Sequence, residues 1–338
     1  MKALLYKDWE LLELADLPCP EPQAGEALIR VEACGICGSE IECFLKRLPR
    51  RRPPLVLGHE FCGRVERVGT GVTTLRPGDA VIANSVIPCR ACPACRRGDT
   101  NLCPERRLFG MHRPGACAEY VAAPASVLYQ RPEGMDPVLG ALVEPAANGV
   151  HAARLLPHLE KRSVFVFGAG VIGLMCAQAA RALCGARVAV ADVSAERLAI
   201  ACELGAERAV NARQEDAVKA GLDFAGEDGV VYVIDAVGSA ATKAQALAML
   251  RPGGGACWIG LHEDAMTLAT YGITLPQKTV IGSYAATEEE FLLAAQLLAE
   301  GRMRPGAGVR RFPLAEAVAA FHRLARPQGA DLKAVVIP

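Results

Sequence analysis

The sequence lacks an excess of charge of either sign, because its 37 lysine and arginine residues match its 37 aspartate and glutamate residues. A nucleic acid or an anionic membrane surface would call for a basic excess, so we expect neither as a partner. The chain also lacks a run of roughly 18 uncharged apolar residues, which a membrane helix requires. Its first residues, MKALLYKDWELLEL, lack the apolar core and cleavage site of a signal peptide, which predicts a cytoplasmic protein.

Internal repeats and low-complexity tracts are absent as well, which excludes solenoid and fibrous classes. With 338 residues the chain exceeds the length at which one core usually stops growing, so two domains are expected. The 14 cysteines would suit a disulfide framework only in a small secreted domain. A cytosolic metalloprotein fits this length and cysteine content better.

Two patterns of hydrophobic periodicity divide the chain. The first 125 residues contain short alternating strands such as EALIRVEA between glycine and proline turns. From about Gly140, apolar runs such as SVFVF and RVAVAD alternate with helical segments, which predicts βαβ units around a parallel sheet. Thr287 and Glu290 have the spacing of a capping box, which predicts the start of a helix there. The final segment KAVVIP is a predicted strand that could return to the first domain.

Four cysteines lie close together in PCRACPACRRGDTNLC, at Cys89, Cys92, Cys95 and Cys103. Their spacing suits one tetrahedral zinc with four sulfur ligands. Because the four thiolates fill every coordination position, this zinc has no place for a substrate. The segment therefore predicts a structural zinc, and the chemistry must lie elsewhere.

A glycine-rich loop follows the apolar strand SVFVF and opens a helix, the context of a dinucleotide-binding loop. Its residues are Gly168, Gly170, Val171, Ile172 and Gly173. The glycines allow the backbone to approach a pyrophosphate at the helix N-terminus. Asp192 ends the next strand, where its carboxylate would bind the adenosine ribose and repel a 2′-phosphate, so NAD is favoured over NADP. Arg197 could weaken that preference or be a solvated charge.

Further motifs combine a thiol, an imidazole and carboxylates with glycines: Cys37 and Ser39 in ACGICGSE, His59 and Glu60 in LGHEF, and Glu144 in LVEPAANGVHA. Together with GHEFCGRVERVG, the cysteine segment, GAGVIGL and DAVG, their order resembles that of the zinc-dependent medium-chain dehydrogenases over nearly the whole chain. Glutamate at position 144 resembles the polyol branch, which includes sorbitol and galactitol-1-phosphate dehydrogenases.

This resemblance implies an α/β protein of two domains. An N-terminal GroES-like, β-rich catalytic domain would comprise residues 1–147 and 285–338, with a structural zinc lobe at 88–104. A Rossmann NAD-binding domain with a parallel doubly wound sheet would comprise residues 148–284. Relatives pair the edge strands of their nucleotide-binding domains, so a homodimer or homotetramer is implied, with contact near KTVIGS.

The resemblance also implies a catalytic zinc bound by Cys37, His59 and Glu144. Glu60 would be an alternate ligand that exchanges with water or substrate, and two zinc ions per chain are expected. A mixed sulfur, nitrogen and oxygen set with an open position is typical of a catalytic zinc. The other interpretation of Glu144 is a carboxylate at a helix N-terminus, favoured there by the helix dipole.

The same family passes the alcohol proton through a hydroxyl at the position of Ser39. Many relatives carry a histidine three residues further on, whereas this chain has Glu42. The proton route is thereby left open between a relay through Glu42 and direct transfer to water.

The implied activity is oxidation of a secondary hydroxyl of a polyol, cyclitol, sugar or their phosphates, with hydride transfer to NAD. A basic run could bind a substrate phosphate, or it could keep an exposed loop soluble. Its residues are Lys46, Arg47, Arg50, Arg51 and Arg52. An amino-alcohol dehydrogenase of the threonine-dehydrogenase type, with Glu42 binding the amine, and a non-catalytic protein with one zinc are the alternatives.

Overall fold

The structure, a computed structural model, describes residues 1–156, 162–226 and 228–338. None of the helices in these ranges is long and apolar enough to cross a membrane. The chain divides into two compact units. Unit 1 consists of Met1–Glu144, Thr287–Phe291 and Val309–Pro338, and unit 2 consists of Pro145–Ala286 and Leu292–Gly308.

The division differs from the sequence expectation by a few residues at the boundaries, since residues 145–147 and 285–286 belong to unit 2. The largest difference is the segment Leu292–Gly308, which also belongs to unit 2 rather than to the first domain. Hydrogen bonds explain this placement. The Gln178 side chain donates to the Arg304 carbonyl oxygen at 3.0 Å and accepts from the Arg304 amide at 2.8 Å. These bonds attach the segment to a helix of unit 2.

The N-terminal elements are β1 (Lys2–Asp8), β2 (Leu11–Asp16), β3 (Glu26–Gly35), α1 (Gly38–Lys46), β4 (Leu55–Val56), β5 (Glu60–Val68), β6 (Ala80–Ala83), β7 (Val86–Ile87), α2 (Pro93–Arg96), β8 (Arg107–Leu108), β9 (Tyr120–Pro124), β10 (Leu128–Gln130), α3 (Pro137–Ala141) and α4 (Val143–Arg154). The middle elements are β11 (Ser163–Phe167), α5 (Val171–Cys184), β12 (Arg187–Asp192), α6 (Ala195–Glu203), β13 (Arg208–Asn211), α7 (Ala217–Ala225), β14 (Val230–Asp235), α8 (Ala240–Met249), β15 (Leu250–Trp258), α9 (Tyr271–Thr274) and β16 (Thr279–Gly282). The last elements are α10 (Glu288–Ala299), β17 (Val309–Pro313), α11 (Ala317–Ala325) and β18 (Lys333–Ile337).

Unit 1 is built on a sheet with the strand order β10-β6-β5-β3-β18-β17, in which β9 also pairs with β3. Ala27, Ile29 and Val31 of β3 are buried in its core, as their alternation predicts. Strand β18 pairs antiparallel with β3, which confirms the predicted return of KAVVIP to the first domain. In the β3–β5 pair Gly35 lies opposite Glu60, so the end of β3 and the start of β5 are adjacent.

Unit 2 contains a parallel sheet in the order β13-β12-β11-β14-β15-β16. This is the order of the Rossmann dinucleotide-binding fold. Val164, Phe165 and Val166 of the central strand β11 are fully buried, as expected of a parallel strand covered on both faces.

The predicted capping box of α10 is confirmed, because the Glu290 amide donates to the Thr287 hydroxyl at 3.3 Å and the Thr287 amide donates to the Glu290 carboxylate at 2.9 Å.

Candidate metal centres and dinucleotide site

Three candidate zinc ligands meet where β3 ends and β5 begins. Cys37 is the N-cap of α1, His59 directly precedes β5, and Glu60 is its first residue. Their ligand atoms all lie within 4.8 Å of one another. Glycine at position 35 leaves room for the Glu60 carboxylate, because a Cβ there would lie 2.1 Å from Glu60 Oε2. The cross-strand pair therefore brings the Glu60 carboxylate beside Cys37.

The buried carboxylate of Glu40, which the sequence analysis did not identify, orients two of these residues. Its Oε1 lies 3.0 Å from His59 Nδ1 and accepts from the Gly58 amide at 2.8 Å, and its Oε2 accepts from the Cys37 amide at 3.1 Å. Burial raises the pKa of Glu40, but the charge and hydrogen bond of His59 and the charge of Arg51 outweigh it and lower the pKa to about 2. With Nδ1 engaged, Nε2 is the ring nitrogen left to bind a metal.

Lys333 is a second residue that sequence reasoning missed. Its Nζ lies 2.6 Å from each oxygen of Glu60, donating to Oε1, and it also donates to the Ile36 carbonyl oxygen at 3.1 Å. Burial lowers its pKa, but the charges of Glu60, Cys37 and Glu144 outweigh it, so the pKa is raised and the ammonium stays protonated. Oε2 of Glu60 is buried in ion-pair contact with Lys333 Nζ and accepts no hydrogen bond from the described residues, so a lone pair of this oxygen is available to a metal.

The charges of this centre fit a divalent cation. Cys37 as a thiolate, Glu40, Glu60 and Glu144 are four anionic groups when ionised. Arg51 and Lys333 are the buried cations beside them once His59 is neutral, the form in which an imidazole binds a metal. Two negative charges are left over, and an uncompensated buried charge is costly. Zn²⁺ would supply the missing charge, and the sulfur, nitrogen and oxygen donors are those that zinc prefers.

Glu144, in the first turn of α4, does not belong to the group of atoms within 4.8 Å. Its Oε1 accepts a hydrogen bond from the Ser85 hydroxyl at 2.9 Å. Burial raises the pKa of Glu144, the charge of His59 lowers it, and the charge of Glu60 raises it further. These interactions place Glu144 close to the same centre. The group contains Glu60 rather than Glu144 beside the cysteine and the histidine, and the ligand set implied by the resemblance stays a prediction.

The two residues considered for proton transfer lie in different surroundings. The Ser39 hydroxyl, half-buried in the first turn of α1, donates to Cys37 Sγ at 3.3 Å and so lies beside the candidate metal ligands. Glu42 is held by two cations, since its Oε1 accepts from Lys46 Nζ at 3.1 Å and its Oε2 from Arg50 at 2.5 Å.

The basic run is exposed except for Arg51, as the expectation of an exposed charged loop has it, and three of its members pair with carboxylates. Lys46 and Arg50 pair with Glu42, and Arg47 pairs with Glu10. The remaining two arginines differ from each other: Arg51 is only 2% exposed, whereas the exposed Arg52 donates to the Pro49 carbonyl oxygen at 3.3 Å.

The four cysteines of the predicted structural zinc form the second group of metal-ligating atoms within 4.8 Å of one another. The Sγ atoms of Cys89 and Cys95 are 4.0 Å apart, close to the roughly 3.8 Å between sulfurs bound tetrahedrally at 2.3 Å. Amides of Ala91 and Cys92 donate to Cys89 Sγ and lower the pKa of that thiol to about 6, which favours the metal-binding thiolate.

The glycine-rich loop joins β11 to α5. Gly168 has φ +96°, and a Cβ at Gly173 would lie 1.8 Å from the Gly168 carbonyl oxygen, so both positions require glycine. A Cβ at Gly170, the N-cap of α5, would face open space, which leaves room for a ligand to reach the backbone. Val171 and Ile172 form the half-buried first turn of α5. The loop therefore fits a pyrophosphate.

Asp192 lies at the end of β12, beside this loop. Its Oδ2 accepts from the Ala169 amide at 2.7 Å and its Oδ1 from the Ser194 amide at 2.9 Å. These bonds fix the carboxylate at the carboxyl edge of the sheet, where a dinucleotide binds in this fold. Arg197 is half-buried in the first turn of α6, and its amide donates to the Ser194 hydroxyl at 3.3 Å.

Comparison with known proteins identifies both units. The model of the alcohol dehydrogenase GroES-like domain matches residues 23–133, and that of the zinc-binding dehydrogenases matches residues 171–300. L-galactonate-5-dehydrogenase of Escherichia coli is 32% identical over 95% of this chain and 92% of its own length. An L-threonine 3-dehydrogenase of Saccharopolyspora erythraea is 32% identical over 92% of this chain and 91% of its own length.

Solved structures agree with these matches. A zinc-binding dehydrogenase from Sinorhizobium meliloti bound to NADP superposes with a TM-score of 0.92 at 32% identity, covering 100% of this chain and 99% of that one. Galactitol-1-phosphate dehydrogenase of Escherichia coli superposes with a TM-score of 0.90 at 29% identity, covering all of both chains. The protein is therefore an oxidoreductase that belongs to the polyol branch of the zinc-dependent medium-chain dehydrogenases.

Proposed function

We propose that this protein oxidises a secondary hydroxyl of an unphosphorylated polyol or cyclitol to a ketone, with NAD as the hydride acceptor. The observation that carries the proposal is the group of half-buried Cys37 and buried His59 and Glu60, with Ser39 beside it. Zinc bound there would act as a Lewis acid on the substrate hydroxyl. Ser39 would accept the hydroxyl proton, Glu40 would orient His59, and Lys333 would hold Glu60.

The ion pairs made by the basic run favour a substrate without phosphate. Lys46, Arg47 and Arg50 already pair with carboxylates, whose negative charge would repel a phosphate bound beside them. The same pairs disfavour the amino-alcohol alternative, since Glu42 is already neutralised by two cations and is a poor site for an amine. Similarity to L-threonine 3-dehydrogenases keeps this second candidate in the test.

The test is NADH formation by zinc-replete protein with free polyols and cyclitols, their phosphates, and L-threonine. We expect turnover of free compounds, with kcat/KM at least tenfold above that of the matched phosphates. Preference for the phosphates or for L-threonine would contradict the proposed substrate class. Absence of turnover with all three groups, in protein that holds two zinc ions, would contradict the proposed function.

The proton route gives a further prediction. We expect Glu42→Gln to change kcat by no more than about twofold, because both Glu42 oxygens are held by cations. Ser39→Ala should lower kcat by about 100-fold, the usual contribution of a positioned proton acceptor. Steady-state rates with the best substrate check both values. An equal loss in the two variants would instead support a relay through Glu42.

Cofactor choice is predicted to depend on the charge of Asp192. A charge pair 4 Å apart interacts with about 1–4 kcal/mol in wet surroundings, so Asp192→Asn should lower the KM for NADP by about tenfold. The control is Glu196→Gln, which removes an exposed carboxylate from the first turn of α6, close to Asp192 in the sequence. Unchanged use of NADP in Asp192→Asn, or a preference of the wild type for NADP, would contradict the choice of NAD.

A homo-oligomer is part of the proposal. Strand β16 ends the sheet of unit 2, and Tyr271 and Leu275, just before it, are each 78% exposed. An unpaired edge next to exposed apolar side chains favours association. We expect light scattering to give the mass of a dimer or tetramer, and a monomer mass at micromolar concentration would contradict this.

A further inference from the structure

The guanidinium of Arg51 is a buried charge with specific partners. Arg51 is 2% exposed, although it lies in a run of basic residues whose next member, Arg52, is exposed. Its Nε donates to the Gly110 carbonyl oxygen at 2.9 Å, and its Nη1 donates to the Ser39 carbonyl oxygen at 3.1 Å. Burying a guanidinium is costly unless its hydrogen bonds are made, so this position is specified rather than incidental.

Both carbonyl groups belong to segments that contact the candidate catalytic centre. Ser39 lies in the first turn of α1, between Cys37 and Glu40. Gly110 also lies next to Glu40, since a Cβ at Gly110 would lie 3.3 Å from Glu40 Oε1 and 3.1 Å from the Gly58 nitrogen. The Arg51 side chain therefore joins two backbone segments that both adjoin Glu40, the residue whose carboxylate orients His59.

Arginine is suited to this place because its planar fork carries several donors in fixed directions. Nε and Nη1 point to two different backbone segments at once, and Nη1 also lies 3.5 Å from Cys43 Sγ, one turn further along α1. Lysine would carry the charge but on a single nitrogen, which cannot reproduce the two directions.

We propose that Arg51 is a positioning residue for the dehydrogenase reaction, which keeps Ser39 and Glu40 in register with the metal ligands by clamping α1 to the segment around Gly110. The part that concerns Ser39 rests on the proposed function. The part that concerns Glu40 rests on the hydrogen bonds of His59 and Cys37 alone.

The experiment compares Arg51→Lys and Arg51→Met with Arg52→Met, a matched control that removes the neighbouring exposed arginine. Cobalt replaces zinc, and the visible absorption bands that Cys37→Ser removes are assigned to the catalytic centre. We expect both Arg51 variants to shift those bands and to lower kcat by about 10- to 100-fold, with the KM for NAD changed less than twofold. Arg52→Met should match the wild type in each measurement.

Arg51→Lys tests whether Arg51 is a positioning residue even when Arg51→Met does not fold. Lysine keeps the buried positive charge and loses only the fixed directions of the guanidinium donors. A lower melting temperature with wild-type kcat and wild-type cobalt bands in Arg51→Lys would show a merely structural role and overturn the proposal. If the wild type turns over no compound of the panel, the proposed function fails separately, and the cobalt bands still decide whether Arg51 positions the metal ligands.

Discussion

Glu60→Gln is expected to lose the catalytic zinc and to lower kcat/KM by about 10³-fold or more, whereas Glu144→Gln retains two zinc ions per chain. Glu60 is grouped with Cys37 and His59 within 4.8 Å, and a neutral amide is a poor zinc ligand. A Lewis acid contributes several kcal/mol to such a reaction, and each 1.36 kcal/mol corresponds to a tenfold change in rate.

Comparison of Glu60→Gln with Glu144→Gln also shows which of the two glutamates is the third ligand of the catalytic zinc. Glu144 accepts from Ser85 and lies outside the group, so its replacement should cost about 10- to 100-fold in activity or metal affinity, as removal of an outer partner does. Metal analysis and steady-state kinetics of both variants provide the measurement. Loss of one zinc from Glu144→Gln, with Glu60→Gln still loaded, would restore the ligand set that the family resemblance implies.

Cys103→Ser is expected to remove the structural zinc and to lower the melting temperature by roughly 10 °C. The segment has little apolar core of its own, since no residue of α2 is buried and Leu102 is 55% exposed. Structural zinc contributes about 10 kcal/mol or more to the folding of small domains. A loss of even a few kcal/mol lowers the melting temperature of a domain of this size by roughly 10 °C.

Cys202→Ser provides the control for this change, because it replaces an exposed cysteine outside both metal groups. Zinc content, calorimetry and limited proteolysis of the cysteine segment are the measurements. We expect Cys103→Ser to hold one zinc, at the catalytic centre, and to be cleaved first between Cys89 and Arg107. Two zinc ions per chain with an unchanged melting temperature would refute the structural assignment.

Local spacing was enough to predict several parts of the protein. The four cysteines fall within fifteen positions, and the glycine loop directly follows its strand, so each pattern is confined to one segment. The period of the apolar residues likewise separated the strand-rich part from the βαβ part. Such features depend on neighbours along the chain, which is why sequence reasoning could reach them.

The residues that support the centre depend on contacts between distant segments. Lys333 meets Glu60 only because β18 pairs with β3, and nothing in KAVVIP distinguishes that lysine from a solvated one. Arg51 reaches Gly110 across 59 positions. Glu40 had a nearer signal, because its place in the first turn of α1 suits an acceptor for backbone amides, but its bond to His59 spans 19 positions.

The ion pair of Glu60 with Lys333 imposes an order on biosynthesis. Lys333 follows Glu60 by 273 residues, so the ribosome must make all of unit 2 before the cation exists. Until then the carboxylate has no ammonium to pair with, and burying it would be unfavourable. Unit 2 can therefore fold before this end of unit 1 is complete, and the Glu60 carboxylate gains its ammonium partner only after β18 has left the exit tunnel.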